Sequence, residues 1–498
     1  MKQLLLLLGA VCVMSSSSGL AQFDARAVAA LDRYVSDACV DWQVPGLAMV
    51  VVHKDEVVYQ TALGERKLDG LPVDDQTIFC IGSTTKAMTA MAMAMLVDEG
   101  VVDWNDRVID HLPEFRLHDP YVTREVRVRD LFTHNLGLGN ADVLWAVLEL
   151  PASEILSRIQ LLEPAYTLRG GYTYQNIMYA AAGKLIERLS GLRWSTFVGE
   201  RIFAPLGMEH TYPTRASSLH VDNRSTPHFR HDGVIKAIDD LDADEIAPAG
   251  AVWSCTEDMA KWIRFLLNGG VVNETRLVSA ANFAEIFNPQ IVIPRQQFYP
   301  TQRLTRPHWT TYGLGWFQHD YHGRFVSFHT GSLPGTIAIA GLIPDEELGV
   351  CILANLDHAE VRHALMYKVF DIAAGELNGR DWSAEFRDLY QGLLAQRDSR
   401  RAERMAQRIE GTTPGFDLAA YTGTYSNDYL GKVVVVLEQG VLLLELGPHR
   451  LPLEHWHHDT FRGKLAVWSD DLFLTFIPDA EGNISMTLFD RKLTKVRD

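Results

Sequence analysis

Strand-forming segments stand at both ends of the first 375 residues of this chain, and a long helical stretch separates them. The early segment runs from Leu47 to Leu68 and reads as two strands joined at Lys54-Asp55. The late ones are Thr311 to Gln318, Arg324 to His329, Thr336 to Ile343 and Leu348 to Leu353, all rich in β-branched or aromatic residues. Residues 105 to 245 read mostly as helices and long loops. Strands this far apart in sequence satisfy their backbone groups most simply by pairing with one another. The pattern therefore predicts one antiparallel sheet built from both ends of a domain, with an all-helical lobe inserted.

Several helices are legible around that sheet. Val28, Leu31 and Val35 share one face of an opening helix that Pro45-Gly46 breaks. A helix from near Ser83 to Gly100 carries Met88, Met91 and Met95 on one stripe, which reads as core packing. Others run from Asn176 to Gly191, after Thr256 as its cap, and from Glu360 to Ala374. Residues 376–414 are charged and read as a surface helix or linker, with Thr412-Thr413-Pro414-Gly415 as a boundary. Residues 415–498 alternate strand and turn, with hairpin turns at Glu438 to Gly440 and Asp479 to Asn483. That predicts a small all-β barrel. The fold class is thus mixed α/β (α+β), with a first domain over residues 22–375.

Composition excludes several functions. With 46 Lys+Arg against 63 Asp+Glu the formal net charge is −17, which repels phosphate backbones and argues against a nucleic-acid partner. Residues 1–21 show a basic Lys2, an apolar run from Leu4 to Met14 and small residues at Gly19 and Ala21, the pattern of a signal peptide cut after Ala21. The expected location is the periplasm or the exterior. No later run of roughly 18 apolar residues predicts a spanning helix, so no integral membrane association is expected. Beyond Cys12, the cysteines Cys39, Cys80, Cys255 and Cys351 are widely spaced and read as buried small hydrophobes. The clusters His319-Asp320-Tyr321-His322 and His455-Trp456-His457-His458 lack the spacing of a zinc motif, so no metal is expected.

Three short motifs carry chemistry. Ser83-Thr84-Thr85-Lys86 puts a hydroxyl and an amine three residues apart on one helix face. A serine is a poor nucleophile without a base beside it, and an amine can be that base if burial keeps it unprotonated. Tyr174-Gln175-Asn176 enters a helix. A tyrosine beside the pair can relay a proton if a cation holds its pKa down, and the Asn can orient the amine or a substrate carbonyl. His329-Thr330-Gly331 closes one strand before the next. Its glycine permits close approach, and the N–H of Ser332 is a second candidate oxyanion donor beside that of Ser83. His329 either donates to a substrate carboxylate or sits as a neutral polar group. Each motif alone has a plain structural reading.

In this order they resemble the serine beta-lactamase and penicillin-binding protein superfamily, and in particular the class C beta-lactamase-like hydrolases. The surrounding segments FCIGSTTKAMTAMAMAMLVDEG, LFTHNLGLG, PAGAVWSCTEDMAKWIRFLLNGG, TYGLGWF and LIPDEELGVCILAN are similar to the family's as well, over about residues 25–370. The resemblance implies an acylated Ser83 with Lys86 as proton acceptor. It gives Tyr174 a share of the base work, and Asn176 the task of orienting Lys86 and the substrate amide. It implies no cofactor, and a small peptide, amide or ester as substrate; the oligomeric state stays open. His329 replaces the lysine usual in true beta-lactamases, and His-Thr-Gly resembles D-aminopeptidases, some of which also carry C-terminal barrels.

The expected function is therefore a secreted serine hydrolase of peptide or amide bonds, with D-residue specificity as its sharper form. The alternatives are a carboxylesterase with the same mechanism and a slow-turnover penicillin-binding or beta-lactamase-like protein. The barrel is either a separate binding module or part of the cleft. Loops at His228 to Glu245 and Asn288 to His308 are expected to narrow the site, and the acidic run in the first can attract a substrate amine.

Overall fold

The computed structural model describes residues 23–231, 233–465 and 470–496, so the leader expected at residues 1–21 lies outside the described residues. The chain opens with α1 (Ala25–Trp42), whose first turn is capped by the Asp24 carboxylate accepting from the N–H of Ala27 at 2.8 Å. A hairpin of β1 (Gly46–His53) and β2 (Glu56–Gly64) follows. Three long helices come next: α2 (Thr85–Asp98), α3 (Ile177–Ser190) and α4 (Thr256–Leu267). The chain then lays down β3 (Ile291–Val292), β4 (Thr310–Tyr312), β5 (Phe317–Tyr321), β6 (Arg324–Leu333), β7 (Thr336–Ile343) and β8 (Leu348–Ala354). All join one antiparallel sheet in the order β2-β1-β8-β7-β6-β5-β4-β3.

The two ends meet at β1 and β8, where Leu47 lies opposite Ala354 and His53 opposite Leu348. Both strands are buried on both faces, which is why they read as unbroken apolar runs. Alternate residues feed separate cores. Leu47, Met49 and Val51 pack on the α1 side, together with α5 (Val361–Ala373). Ala48, Val50 and Val52 face α4 and the helical lobe. The lobe between α2 and α4 is built of short helices around α3, as the sequence pattern predicts.

Three local expectations need correction. The predicted strand from Thr311 to Gln318 is two strands, broken at Gly313-Leu314-Gly315. Gly315 has φ +84°, and a Cβ there would lie 3.0 Å from the backbone of Lys86, so the break lets this segment press against α2. Thr256 does not cap α4. The N-cap is Cys255, and the Thr256 hydroxyl instead donates to the carbonyl of Asp75 at 3.2 Å. The methionines of α2 are core as expected, but the helix is buried all round rather than along a stripe. The four cysteines beyond residue 22 are free and buried.

A 25-residue helix, α6 (Trp382–Ala406), leads away from the first domain. Trp382 and Phe386 anchor its start in the α1–α5 core. Near its end Arg401 pairs with Asp471 at 3.1 Å. Beyond it, eight strands close an antiparallel barrel between Gly423 and Lys495. The barrel docks on the helical lobe. Leu430 and Leu446 share one continuous buried cluster with Leu144 and Leu148, and Arg158 Nη1 donates to the carbonyl of Tyr429 at 2.7 Å. At Gly447 (φ +57°) an added Cβ would meet the Val147 carbonyl at 2.8 Å. Gly447→Ala is therefore expected to cost about 1–3 kcal/mol, read as a lowered urea midpoint with unchanged slope. An unchanged midpoint would mean that the barrel is not seated on this face.

Candidate active site

The turn from β-structure into α2 exposes one group. From Thr77 to Leu96 every residue is buried except Ser83, which sits in a 3-10 turn (Gly82–Thr84) just ahead of the helix. Lys86, three residues on, has no exposed surface. Its Nζ lies 2.9 Å from Ser83 Oγ, 2.8 Å from Asn176 Oδ1 and 2.7 Å from the carbonyl of Ala249. Burial drives the Lys86 pKa well below its ordinary value, and the nearby Asp142 opposes that only in part. A neutral amine has two N–H groups and one lone pair. The Asn176 and Ala249 oxygens can only accept, so they take both N–H groups. In that neutral form the lone pair faces the Ser83 hydroxyl.

Tyr174 and Asn176 arrive from the entry to α3. Lys86 Nζ lies 4.8 Å from the centre of the Tyr174 ring, and the Tyr174 hydroxyl is hydrogen-bonded to Ser83. Burial pushes the Tyr174 pKa well above its ordinary value, and the bond to Ser83 offsets only part of this. Near neutral pH Tyr174 is therefore a phenol that can donate. Asn176 occupies the N-cap of α3, yet its side chain caps nothing in that helix. The capping contribution, about 1 kcal/mol for such a residue, is given up for Lys86 and Asp142. Asn176 Nδ2 donates to both Asp142 oxygens at 3.1 and 3.2 Å.

The third side of the site is the end of β6. The ladder to β5 stops at Phe317 opposite Phe328, so His329 to Leu333 run past β5 along the cleft. A Cβ on Gly331 would lie 1.8 Å from the Ile81 carbonyl, and one on Gly82 would lie 2.6 Å from the Ser332 nitrogen. These two glycines bring the backbone of Ser83 and Ser332 together. His329 is buried, with Nε2 2.9 Å from the Tyr312 hydroxyl and Nδ1 2.7 Å from the Thr330 carbonyl. Burial, aided by Lys86, lowers its pKa to about 3. Tyr299, from the loop expected to narrow the site, is hydrogen-bonded to the Thr330 hydroxyl.

Behind β6 lies a buried ion pair that the sequence pattern did not reveal. Arg362 Nη1 donates to the Gly331 carbonyl at 2.6 Å and to Ser332 Oγ at 2.8 Å, and Nη2 pairs with Glu360 at 3.0 Å. Asp142, Ala249, Tyr299 and Tyr312 were missed as well. The only sequence signal for Asp142 was its position just beyond the LFTHNLGLG loop.

Two other acidic groups are partly tied to the scaffold. The acidic run is tied to the scaffold: Asp240 pairs with Arg224 at 2.7 Å, and Asp244 accepts from the Arg215 and Ala216 N–H groups. Asp242 and Glu245 of the same run stay exposed. His210, Cys255 and Asp258 bring one possible ligand atom each within 4.8 Å of one another. Lys261 already neutralises Asp258 at 2.8 Å, and burial pushes the Cys255 thiol up to about 12. Among the described residues, no helix is long and apolar enough to cross a membrane.

An antiparallel sheet flanked by helices and joined to a helical lobe is the fold of the serine-hydrolase superfamily of beta-lactamases and penicillin-binding proteins, and here a C-terminal barrel follows it. The Beta-lactamase family model matches residues 27–374, and the chain belongs to that family. Residues 407–496 match a domain of unknown function, DUF3471. The chain is 28% identical over 445 residues to the unguisins hydrolase ungD of Aspergillus violaceofuscus (strain CBS 115571), covering 82% of this chain and 76% of that protein. It is 26% identical over 348 residues to penicillin-binding protein 4 of Amycolatopsis lactamdurans, covering 68% and 86% respectively. Among solved structures, the octameric penicillin-binding protein homologue from Pyrococcus abyssi aligns with TM-score 0.62 at 21% identity, covering 94% of this chain and all of that one.

Proposed function

We propose that this protein is an exported serine hydrolase that cleaves amide bonds of small peptides through an acyl-enzyme on Ser83. The observation that carries the reading is the environment of Lys86: fully buried, lowered in pKa, with Nζ 2.9 Å from Ser83 Oγ. Lys86 takes the Ser83 proton as Oγ attacks the carbonyl carbon. The backbone N–H groups of Ser83 and Ser332 hold the oxyanion. As the C–N bond breaks, Tyr174 gives its proton to the departing amine and is reprotonated from Lys86. Water then hydrolyses the ester with the same groups in reverse order.

The substrate assignment rests on His329. A neutral ring with both nitrogens engaged is a poor grip for a carboxylate. This favours bonds that carry no free carboxylate beside them over penicillin-like substrates.

The test is a set of initial rates on a D-alanyl anilide, its L-enantiomer and a short-chain nitrophenyl ester, with Ser83→Ala as blank. The expected result is Ser83-dependent cleavage of an anilide, with the D form faster. Ester turnover with neither anilide cleaved would replace the amidase reading with an esterase. A stable mass adduct with a penicillin and no turnover of any probe would replace both with a slow penicillin binder.

A further inference from the structure

We infer that Asp142 is a positioning residue that aims the Lys86 lone pair at Ser83 by fixing the orientation of the Asn176 amide. The inference rests on the reading of Ser83 and Lys86 given above. An asparagine side chain has two faces of nearly equal shape, one accepting and one donating. Next to Lys86 the two have opposite consequences. With Oδ1 toward Nζ, Asn176 consumes an N–H of the amine. With Nδ2 toward Nζ, it would donate to the lone pair and compete with the Ser83 proton for the same site.

Asp142 decides between these states because a carboxylate only accepts. Both its oxygens lie within hydrogen-bond distance of Asn176 Nδ2, at 3.1 and 3.2 Å. That commits Nδ2 to Asp142 and leaves Oδ1 on Lys86 at 2.8 Å. Asp142 is itself held. Trp145 Nε1 donates to Oδ1 at 2.8 Å, Asn140 Nδ2 donates to Oδ2 at 3.0 Å, and the N–H of Asp142 donates to Asn140 Oδ1 at 3.0 Å. Trp145 is buried among the lobe residues that carry the barrel. The chain of contacts runs from Trp145 through Asp142 and Asn176 to Lys86, and Asp142 touches neither Ser83 nor Lys86.

Asp142 also sets the charge that Lys86 feels. The other titratable groups facing Lys86 are Tyr174, Tyr179, His134 and His329. Burial raises both tyrosines and lowers both histidines, so all four are neutral near pH 7. The negative charge acting on the amine is that of Asp142, which raises its pKa. Loss of that charge lets the Lys86 pKa fall further. Because the neutral amine is the active form, the acid limb of the rate profile then moves to lower pH.

The experiment compares wild type, Ser83→Ala, Asp142→Ala, Asp142→Asn, Asn176→Ala and the Asp142→Ala/Asn176→Ala double variant. The probe is whichever of the anilide or nitrophenyl ester the wild type turns over. Asp142→Ala is expected to lower kcat on the order of 10²-fold with KM within about twofold. Its acid limb shifts down in pH, which a merely structural role would not cause. The double variant is expected to be no slower than the slower single one, because both act through one amide orientation. If Asp142→Ala does not fold, Asp142→Asn gives the same reading by its acid limb, since it keeps the shape and loses the charge. An inactive Ser83→Ala with wild-type rate and limb in both Asp142 variants would overturn the inference, as would fully additive losses in the double variant. An active Ser83→Ala would sink the reading of the site, and this inference with it.

Discussion

Lys86→Met is expected to lower kcat/KM on the order of 10⁴-fold, about as much as Ser83→Ala, while making the protein more stable. The two effects have one cause. The amine is buried without a full counter-charge, which depresses its pKa and costs folding free energy. The unfolded chain binds the Lys86 proton up to about its ordinary value of 10.5, whereas the folded chain releases it well below. Stability from this group therefore rises with pH through that interval and levels off above 10.5. Methionine fills similar volume without a proton to lose, so the variant lacks that part of the pH dependence. Loss of activity follows because Ser83 and Lys86 act as a unit, and removing either member removes most of what both supply. Rates on the best probe and urea unfolding between pH 7 and 10 check this. A Lys86→Met protein that is both inactive and less stable would mean that the amine holds the lobe together rather than serving as a base.

Arg362→Met is expected to cost about 3–5 kcal/mol, because it strands Glu360 in the protein interior. Burial alone would raise the Glu360 pKa; the Arg362 charge and the hydrogen bond from His363 outweigh it and hold the carboxyl below its ordinary 4.5. A group with a depressed folded value contributes stability above 4.5, and that contribution is lost as pH falls below it. In Arg362→Met the acid loss is expected to disappear along with the pairing. The double variant Glu360→Gln/Arg362→Met is expected to recover much of the cost, since both charges are then gone. Activity falls further than stability accounts for, because the same guanidinium holds the Gly331 carbonyl and the Ser332 hydroxyl at the edge of the cleft. Urea midpoints at pH 7 for the single and double variants decide the matter. Equal destabilisation in both would assign the cost to lost packing rather than to the stranded charge.

The route to the site from sequence was uneven, for physical reasons. The sheet was legible because strands buried on both faces leave unbroken apolar runs, as in β1 and β8, and because strands at both ends of a domain must find partners. The barrel was legible because hairpins announce themselves, at Gln439-Gly440 and again between Pro478 and Ile484. Ser83, Lys86, Tyr174, Asn176 and the His329 to Ser332 edge were legible because each sits in a short local motif. They do come together: Lys86 bonds Asn176 across 90 positions of sequence, and Gly331 lies against Ile81. Gly313 to Gly315 reads as continuous strand in sequence, since only contact with the Lys86 backbone makes the break necessary.

Fold class, the order of the lobes and the local motifs follow from periodicity, turn chemistry and residue type over short stretches, and so are written in the chain itself. Tertiary structure alone decided the protonation states and the supporting residues. Burial lowers the Lys86 pKa, keeps Tyr174 a phenol and leaves His329 uncharged, and burial depends on every element packed around them. Asp142 and Arg362 reach the site from elements remote in sequence, through a carboxylate and a guanidinium that carry no local pattern.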